Sequence, residues 1–386
     1  MLQSQSVPIS RHSLDTLAGL WIGALGLASL GLQPQILLAS VTTSLTAMEA
    51  GRLATLEIGA MAIASAVVIC GAAGPFRSTL SGLGCALMAG GSLLAACSAN
   101  IVTASAGRAL AGIGEGILAS AGVVAVLGSA RPVRASAGFV TIAALPPLAG
   151  SVVLALIGRQ IWGGNAPLLL LAAGGLLALI PVLFRRSRTP VPLPKPRPPA
   201  IGSVIVIMLL WLLNAIASAC WTYLGALGAE QGLAPPFVAH SLSVGLLAQM
   251  AASILLAWRG PDARLALFLL IAVGAEGGGV LLASGAAGRP TAYLVATAIF
   301  GFALHAASPL VTGLFTQSDP TRRCSYLILP VTLLGIATGP AMASLFPDPA
   351  SAFLAGGGLL IGVAVALAVF TQRPMPWARE SFIAMP

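Results

Sequence analysis

Charge is what this chain has least of. Only 8% of its 386 residues are charged, where an ordinary soluble domain carries about 25%, so a water-facing surface of that size is excluded. Lysine occurs once, at Lys195, and histidine three times. There is no HExxH, no histidine pair and no GxSxG, which argues against a membrane-embedded enzyme such as a lipid-modifying transferase or a protease. A GxxxxGK[ST] loop is missing too, so nucleotide hydrolysis has no seat. The five cysteines, Cys70, Cys85, Cys97, Cys220 and Cys324, show no CxxC spacing and lie in or beside apolar runs. They read as buried free thiols without chemistry. No catalytic residue, metal or cofactor is expected.

Apolar length takes the place of charge. Hydrophobic residues make up 58% of the chain and mean hydropathy is +0.98. The runs are near 20 residues, the length at which a helix crosses roughly 30 Å of hydrocarbon. A transmembrane barrel would alternate apolar and polar over about ten residues, whereas the stretches 265–284 and 353–370 are apolar on every face. The first run begins after Asp15, outlasts a signal-peptide core and is followed by many like it, so it counts as a helix. The expected spans are 15–41, 50–73, 79–99, 101–128, 136–158 and 167–184, then 200–228, 237–257, 265–285, 291–317, 325–346 and 351–371. The fold class is an all-α polytopic membrane protein of about twelve transmembrane helices.

The formal charge of +9 would suggest nucleic acid in a soluble protein; here it reports topology. With the N-terminus placed inside, fifteen of the nineteen basic residues fall on the inner side. Only Arg52, Arg159 and Arg289 fall outside, and Arg108 lies within a helix. Short loops rich in Lys and Arg stay cytoplasmic, so both termini are expected in the cytoplasm. Residues 185–199, RRSRTPVPLPKPRPP, are basic and proline-rich and cannot continue a helix. They read as a cytoplasmic linker between two six-helix bundles, 1–184 and 200–386. Secondary transporters place substrate at such an interface, near the bilayer midplane.

The fourth span carries Gly107-Arg108-Ala109-Leu110-Ala111-Gly112-Ile113-Gly114-Glu115-Gly116, and the fifth carries Pro146, Pro147 and Gly150. Both elements, with the topology of nearly the whole chain, resemble the major facilitator superfamily: the first its Arg-containing, glycine-spaced fourth-helix motif, the second the Gly-Pro element of its antiporters. That family's loop between helices two and three usually pairs an Asp with several basic residues as a cytoplasmic latch. Here 71–78 has no acid and one base, while Arg259, Asp262 and Arg264 in the second half are closer to the pattern and are the expected gating loop. Gly-Ile-Gly-Glu also resembles the Spinster-like branch, which handles lysolipids and sphingolipids.

Ionisable groups inside a membrane span are costly and mark sites. Those expected here are Glu57, Arg108, Glu115, Glu276 and His305, proposed as a charge and proton relay; Asp15 is expected to be a solvated end charge. Arg108 and Glu115 share a helix face but stand about 10 Å apart along it, so Arg108 is expected to pair with Glu57, which enters at a similar depth. Glu115 and Glu276 then lack a cation, and at least one of them is expected to carry a proton in one conformational state. His305 enters at the depth of Glu276 and suits a relay. Gln33, Gln35, Asn214, Trp221, Tyr223 and Gln249 are candidates for the substrate cavity, with packing or an interfacial belt as the other role. Gly107–Leu110 and Gly301–Leu304 also match as a short internal repeat.

The function expected is proton-coupled secondary transport of a small organic or amphipathic molecule by alternating access, with efflux slightly favoured over uptake. Alternatives are an uptake symporter of an organic anion, a lipid or lysolipid transporter, and a non-transporting membrane sensor. The expected partners are the lipid bilayer, a small-molecule substrate and protons, without nucleic acid, and the expected state is a monomer. Abundant Ala and Gly with a single Lys point to a GC-rich bacterial genome and hence to a bacterial cytoplasmic membrane.

Overall fold

The structure, a computed structural model, describes residues 11–43, 45–71, 77–127, 132–158, 163–184, 201–259, 265–318 and 327–371. They fold into thirteen α-helices: α1 (Arg11–Gly26), α2 (Ala28–Thr43), α3 (Ala47–Gly71), α4 (Arg77–Ala96), α5 (Ile101–Leu127), α6 (Pro132–Val153), α7 (Ala166–Phe184), α8 (Ile201–Glu230), α9 (Pro235–Arg259), α10 (Leu265–Ser284), α11 (Pro290–Ser318), α12 (Ile328–Ala343) and α13 (Pro349–Thr371). A π-helical turn, Leu154–Gly158, extends α6. No strand occurs among the described residues.

α1 and α2 are two parts of one span, Thr16–Val41, which Leu27 interrupts without ending. The Leu27 N–H reaches both Gly23 O and Ala24 O, and Leu30 N–H reaches Leu27 O. Among the described residues, eleven spans are long and apolar enough to cross a membrane, and α12 is apolar but shorter. The protein is thus a multi-pass helical membrane protein whose helices follow the expected segments. Its exterior agrees with that solvent. Ile63 and Val67 are 68% and 65% exposed, whereas Glu57, Glu115 and Glu276 are at most 1% exposed; apolar outside and polar inside is what hydrocarbon demands.

Short caps start three helices at the face that carries the 45–46 turn. Thr46 and Glu49 form a capping box on α3, Thr46 N–H donating to Glu49 Oε2 at 2.9 Å and Glu49 N–H to Thr46 Oγ1 at 3.2 Å. Asn100 Oδ1 accepts Thr103 N–H at the start of α5. Asp348 Oδ1 accepts Ser351 N–H, with Pro349 opening α13.

In the first six spans α5 packs on α1, α3 and α4; in the last six α8 packs on α12, and α10 on α11 and α13. The most extensive contacts between these sets run α3 along α12, α6 along α9 and α2 along α8. One buried cluster carries the crossing, since Leu37, Leu38 and Ala50 join Trp221, Tyr223, Leu224 and Leu227 of α8. A second sets Met61 and Ile69 of α3 against Leu329 and Leu333 of α12.

Two prolines bind α8 to its neighbours. Proline has no N–H to give the carbonyl four residues back. Pro34 so releases Leu30 O, which accepts the Trp221 indole N–H at 3.2 Å. Pro340 releases Ile336 O, which accepts the Ser218 hydroxyl at 2.8 Å. The expected repeat Gly107–Leu110 and Gly301–Leu304 is used differently in its two copies. Gly107 lies against Ala95 of α4, in the preceding span, while Gly301 lies against Gly245 of α9, two spans earlier.

Candidate functional site

α5 positions the site because its glycines bring its backbone against two neighbours at once. A Cβ on Gly107 would stand 2.5 Å from Ala95 N, and one on Gly114 would collide with Met88 N, both on α4. Gly112 and Gly116 do the same on the other side, where a Cβ would strike the Glu57 and Met61 carbonyls of α3. Residues seven apart share one face and residues four apart share another. The glycine spacing therefore fixes the rotation of α5 as well as its depth. Arg108 and Glu115 each follow one of the α4-facing glycines.

Held in that rotation, Arg108 NH2 lies 2.5 Å from Glu57 Oε2. Gln33 of α2 bridges the pair: its Nε2 donates to Glu57 Oε2 at 2.8 Å, and its Oε1 accepts from Arg108 NH2 at 3.3 Å. Glu115, a little further along α5, accepts the Ser29 hydroxyl on Oε2 at 2.7 Å. All five side chains are buried, Arg108 being 3% exposed and both carboxyls 0%. Arg108 NH1, Glu57 Oε1 and Glu115 Oε1 have no hydrogen-bond partner among the described residues.

The charge balance is the chemical content of this cluster. One guanidinium faces two carboxyls, and an uncompensated buried ion costs several kcal/mol. The cluster is neutral when one carboxyl holds a proton. Loss of that proton leaves one net negative charge, which a dry site penalises and contact with water relieves.

The arrangement of helices around it has a known counterpart. The human organic anion transporter MFSD10 (TETRAN) superposes with a TM-score of 0.65 over 92% of this chain and 99% of that one, at 16% sequence identity. The chain has the major facilitator fold. No family model and no curated protein matches its sequence. In major facilitator terms α3 is the second helix and α5 the fourth, so the cluster joins helices one, two and four.

The other candidate residues lie elsewhere in this fold. Glu276 on α10 is 1% exposed and within electrostatic reach of Cys220 on α8. Its Oε1 and the Nδ1 of His305 on α11 have no hydrogen-bond partner among the described residues. Neither joins the Glu57 cluster, which is built from α2, α3 and α5. Of the cavity candidates, Gln33 belongs to the charge cluster, and Trp221 is engaged with α2 through Leu30 O. Tyr223 presses its hydroxyl on Gly51 of α3, where a Cβ would collide with it. Asn214 donates to Leu210 O within its own helix at 2.7 Å. Gln249 is 3% exposed with Nε2 unpartnered among the described residues. Arg259 ends α9; Asp262, Arg264 and the 185–199 linker lie outside the described residues.

Gln35 belongs to a chain that sequence did not announce. Its Nε2 donates to Ser151 Oγ of α6 at 2.5 Å, Ser151 Oγ is 2.7 Å from Ser243 Oγ of α9, and Ser243 Oγ reaches Ala239 O at 3.1 Å. Ser29, Ser151 and Ser243 carry no distinguishing signal, since small polar residues occur in most of these spans. The cysteine expectation needs one correction. Cys85 and Cys220 are free and buried, but Cys97 is free and exposed, because α4 ends at Ala96 and leaves it in the turn.

Proposed function

We propose that this protein is a proton-coupled secondary transporter of a small organic or amphipathic molecule. In this proposal two six-helix halves, 1–184 and 200–386, rock about the interface formed by α2, α3 and α6 with α8, α12 and α9. The observation that carries the reading is the buried cluster in which, among the described residues, Glu57 and Glu115 share one cation, Arg108. A group that must cross between two aqueous sides has to be neutral while occluded, and a carboxyl achieves that by taking a proton. Glu57 and Glu115 with Arg108 are the primary relay; Glu276 and His305 form a separate pair of candidates in the second half. The major facilitator fold supports transport by alternating access.

Efflux stays slightly ahead of uptake as the direction. An organic anion as substrate has two observations in its favour: Arg108 Nη1 has no hydrogen-bond partner among the described residues, and the superposed MFSD10 is an organic anion transporter. The distribution of basic residues supports cytoplasmic termini with the 45–46 turn outside, and the proposed address is a bacterial inner membrane.

The test is reconstitution in liposomes with a trapped pH dye and a panel of organic anions, cationic drugs, neutral solutes and lysolipids. Proton movement that depends on one class of solute, and is abolished by Glu57→Gln or Glu115→Gln in folded protein, supports the reading. Solute flux without proton movement in the unaltered protein, or proton movement that both variants leave intact, overturns it.

A further inference from the structure

Gln33 and Gln35 stand on either side of Pro34 in α2. Two residues turn a helix by about 200°, so their side chains leave opposite faces. Gln33 enters the charge cluster, where it bonds Glu57 and Arg108. Gln35 enters the seam between α6 and α9, where it begins the chain Gln35–Ser151–Ser243–Ala239 O. With the Ser243 proton on Ala239 O, the Ser151 proton is left for Ser243, and Ser151 accepts one Gln35 amide N–H. Gln35 and Ser151 are 6% and 1% exposed.

The third side of the same segment is held by α8. The Leu30 carbonyl takes the Trp221 N–H, and Gly225 approaches Pro34 O so closely that a Cβ there would stand at 2.9 Å. Gly31, just before, lies against Pro147 of α6 and Leu246 of α9. One helical turn thus touches the charge cluster, the seam and α8 together. Resting on the proton-coupling reading above, we infer that residues 33–35 of α2 are the coupling element: the charge state of Glu57 sets the position of Gln33, and Gln35 carries that position to the strap closing α6 on α9.

The chemistry at Glu57 is a change of hydrogen-bond partners. Ionised, Glu57 accepts from both Arg108 and Gln33. Neutral, it gives up the ion pair with Arg108 and becomes a donor as well as an acceptor, and the Gln33 amide must reorient or shift. Besides Arg108, the ionisable side chain that faces Glu57 is Glu115, also from α5. α2 contributes only the uncharged Gln33 and Ser29, α12 contains no ionisable residue, and the Tyr223 hydroxyl of α8 meets α3 at Gly51, six residues away. α2 is thus the uncharged element that touches both Glu57 and the strap.

The test uses the full chain in nanodiscs with spin labels at Ala99→Cys and Arg289→Cys, exposed positions in turns at the 45–46 face, in a background with Cys70, Cys97 and Cys324 changed to Ser. Pulsed dipolar distances then report opening of that face. Gln35→Leu is expected to lower the population of the short distance by about 3- to 18-fold, the span of measured intramembrane hydrogen bonds. Ser243→Ala, which removes one hydroxyl, is expected to act in the same direction and keeps the test standing if Gln35→Leu does not fold. Glu57→Gln is expected to shift the population in the native background and to add nothing in Gln33→Leu. Equal shifts with and without Gln33, or no shift from either strap variant, overturn the inference. A Glu57→Gln shift that depends on Gln33, with no response to pH between 5 and 8, leaves the α2 linkage standing and overturns proton coupling instead.

Discussion

Trp221 on α8 donates its indole N–H to the Leu30 carbonyl of α2 at 3.2 Å, the carbonyl that Pro34 leaves without a helical donor. A proline that would only weaken α2 is thereby turned into a point of attachment between helices from different ends of the chain. Trp221→Phe keeps a ring in place against Phe300, whose centroid is 6.2 Å away, and removes the donor. The expected loss is about 1 kcal/mol, within the range for single intramembrane hydrogen bonds. Pro34→Ala restores an N–H at position 34, so the Trp221→Phe loss should shrink in that background. A thermal or denaturant double-mutant cycle checks it, and additive effects would contradict the relationship.

Among the described residues, Arg108 is the only cation facing Glu57 and Glu115. Its removal strands two carboxyls in a dry site, and breaking a buried pair from one side costs about 3–5 kcal/mol. Arg108→Met should destabilise the protein on that scale, and Arg108→Met with Glu57→Met should recover most of it. Unfolding of the purified variants in detergent, followed by tryptophan emission, measures both. A double variant no better than the single would mean that the ion pair is not what the stability depends on.

The glycine wedge makes a sharper comparison between two glycines of neighbouring helices. Gly112→Ala drives a methyl into the Glu57 carbonyl, whereas a Cβ on Gly59 meets nothing within 4 Å. Overpacking of this kind costs about 1–3 kcal/mol. Gly112→Ala should lower the melting temperature and Gly59→Ala should leave it unchanged or raise it slightly, because alanine also favours helix.

Outside the spans, Asp348 gives a pH signature. The Ser351 backbone N–H, followed by the Ser351 hydroxyl, holds its carboxyl below the ordinary range. A group depressed in the folded state contributes stability above its unfolded value, about 3.9, and loses it as pH falls through the folded value. The native protein should therefore lose melting temperature faster than Asp348→Asn on acidification below about pH 4. Parallel curves would show that the cap carries no linkage.

The spans and the buried ionisable residues were legible in the sequence for the same reason. Hydrocarbon imposes a minimum apolar length and penalises charge heavily, so both leave marks that do not depend on partners. Arg108 and Glu57 could be matched by depth alone. What sequence does not encode locally is rotation about a helix axis relative to a distant neighbour. For that reason Ser29 beside Glu115, and Ser151 with Ser243, were not foreseeable. For the same reason the sequence does not show that Gln33 and Gln35, both among the six cavity candidates, leave opposite faces of α2. The Gly107 and Gly301 quartets match as letters yet meet non-equivalent helices, because four residues set neither tilt nor partner.

The two-sided glycine pattern of α5 constrains how that helix can vary over time. One residue inserted between Gly107 and Gly112 would turn everything after it by about 100°, swinging Gly112 and Gly116 off α3 and Glu115 away from Ser29. Exchange of one small residue for another disturbs a single contact, but a change of length disturbs all of them at once. Drift along this segment is thereby confined to substitution, and gain or loss of residues is left to the connections between spans.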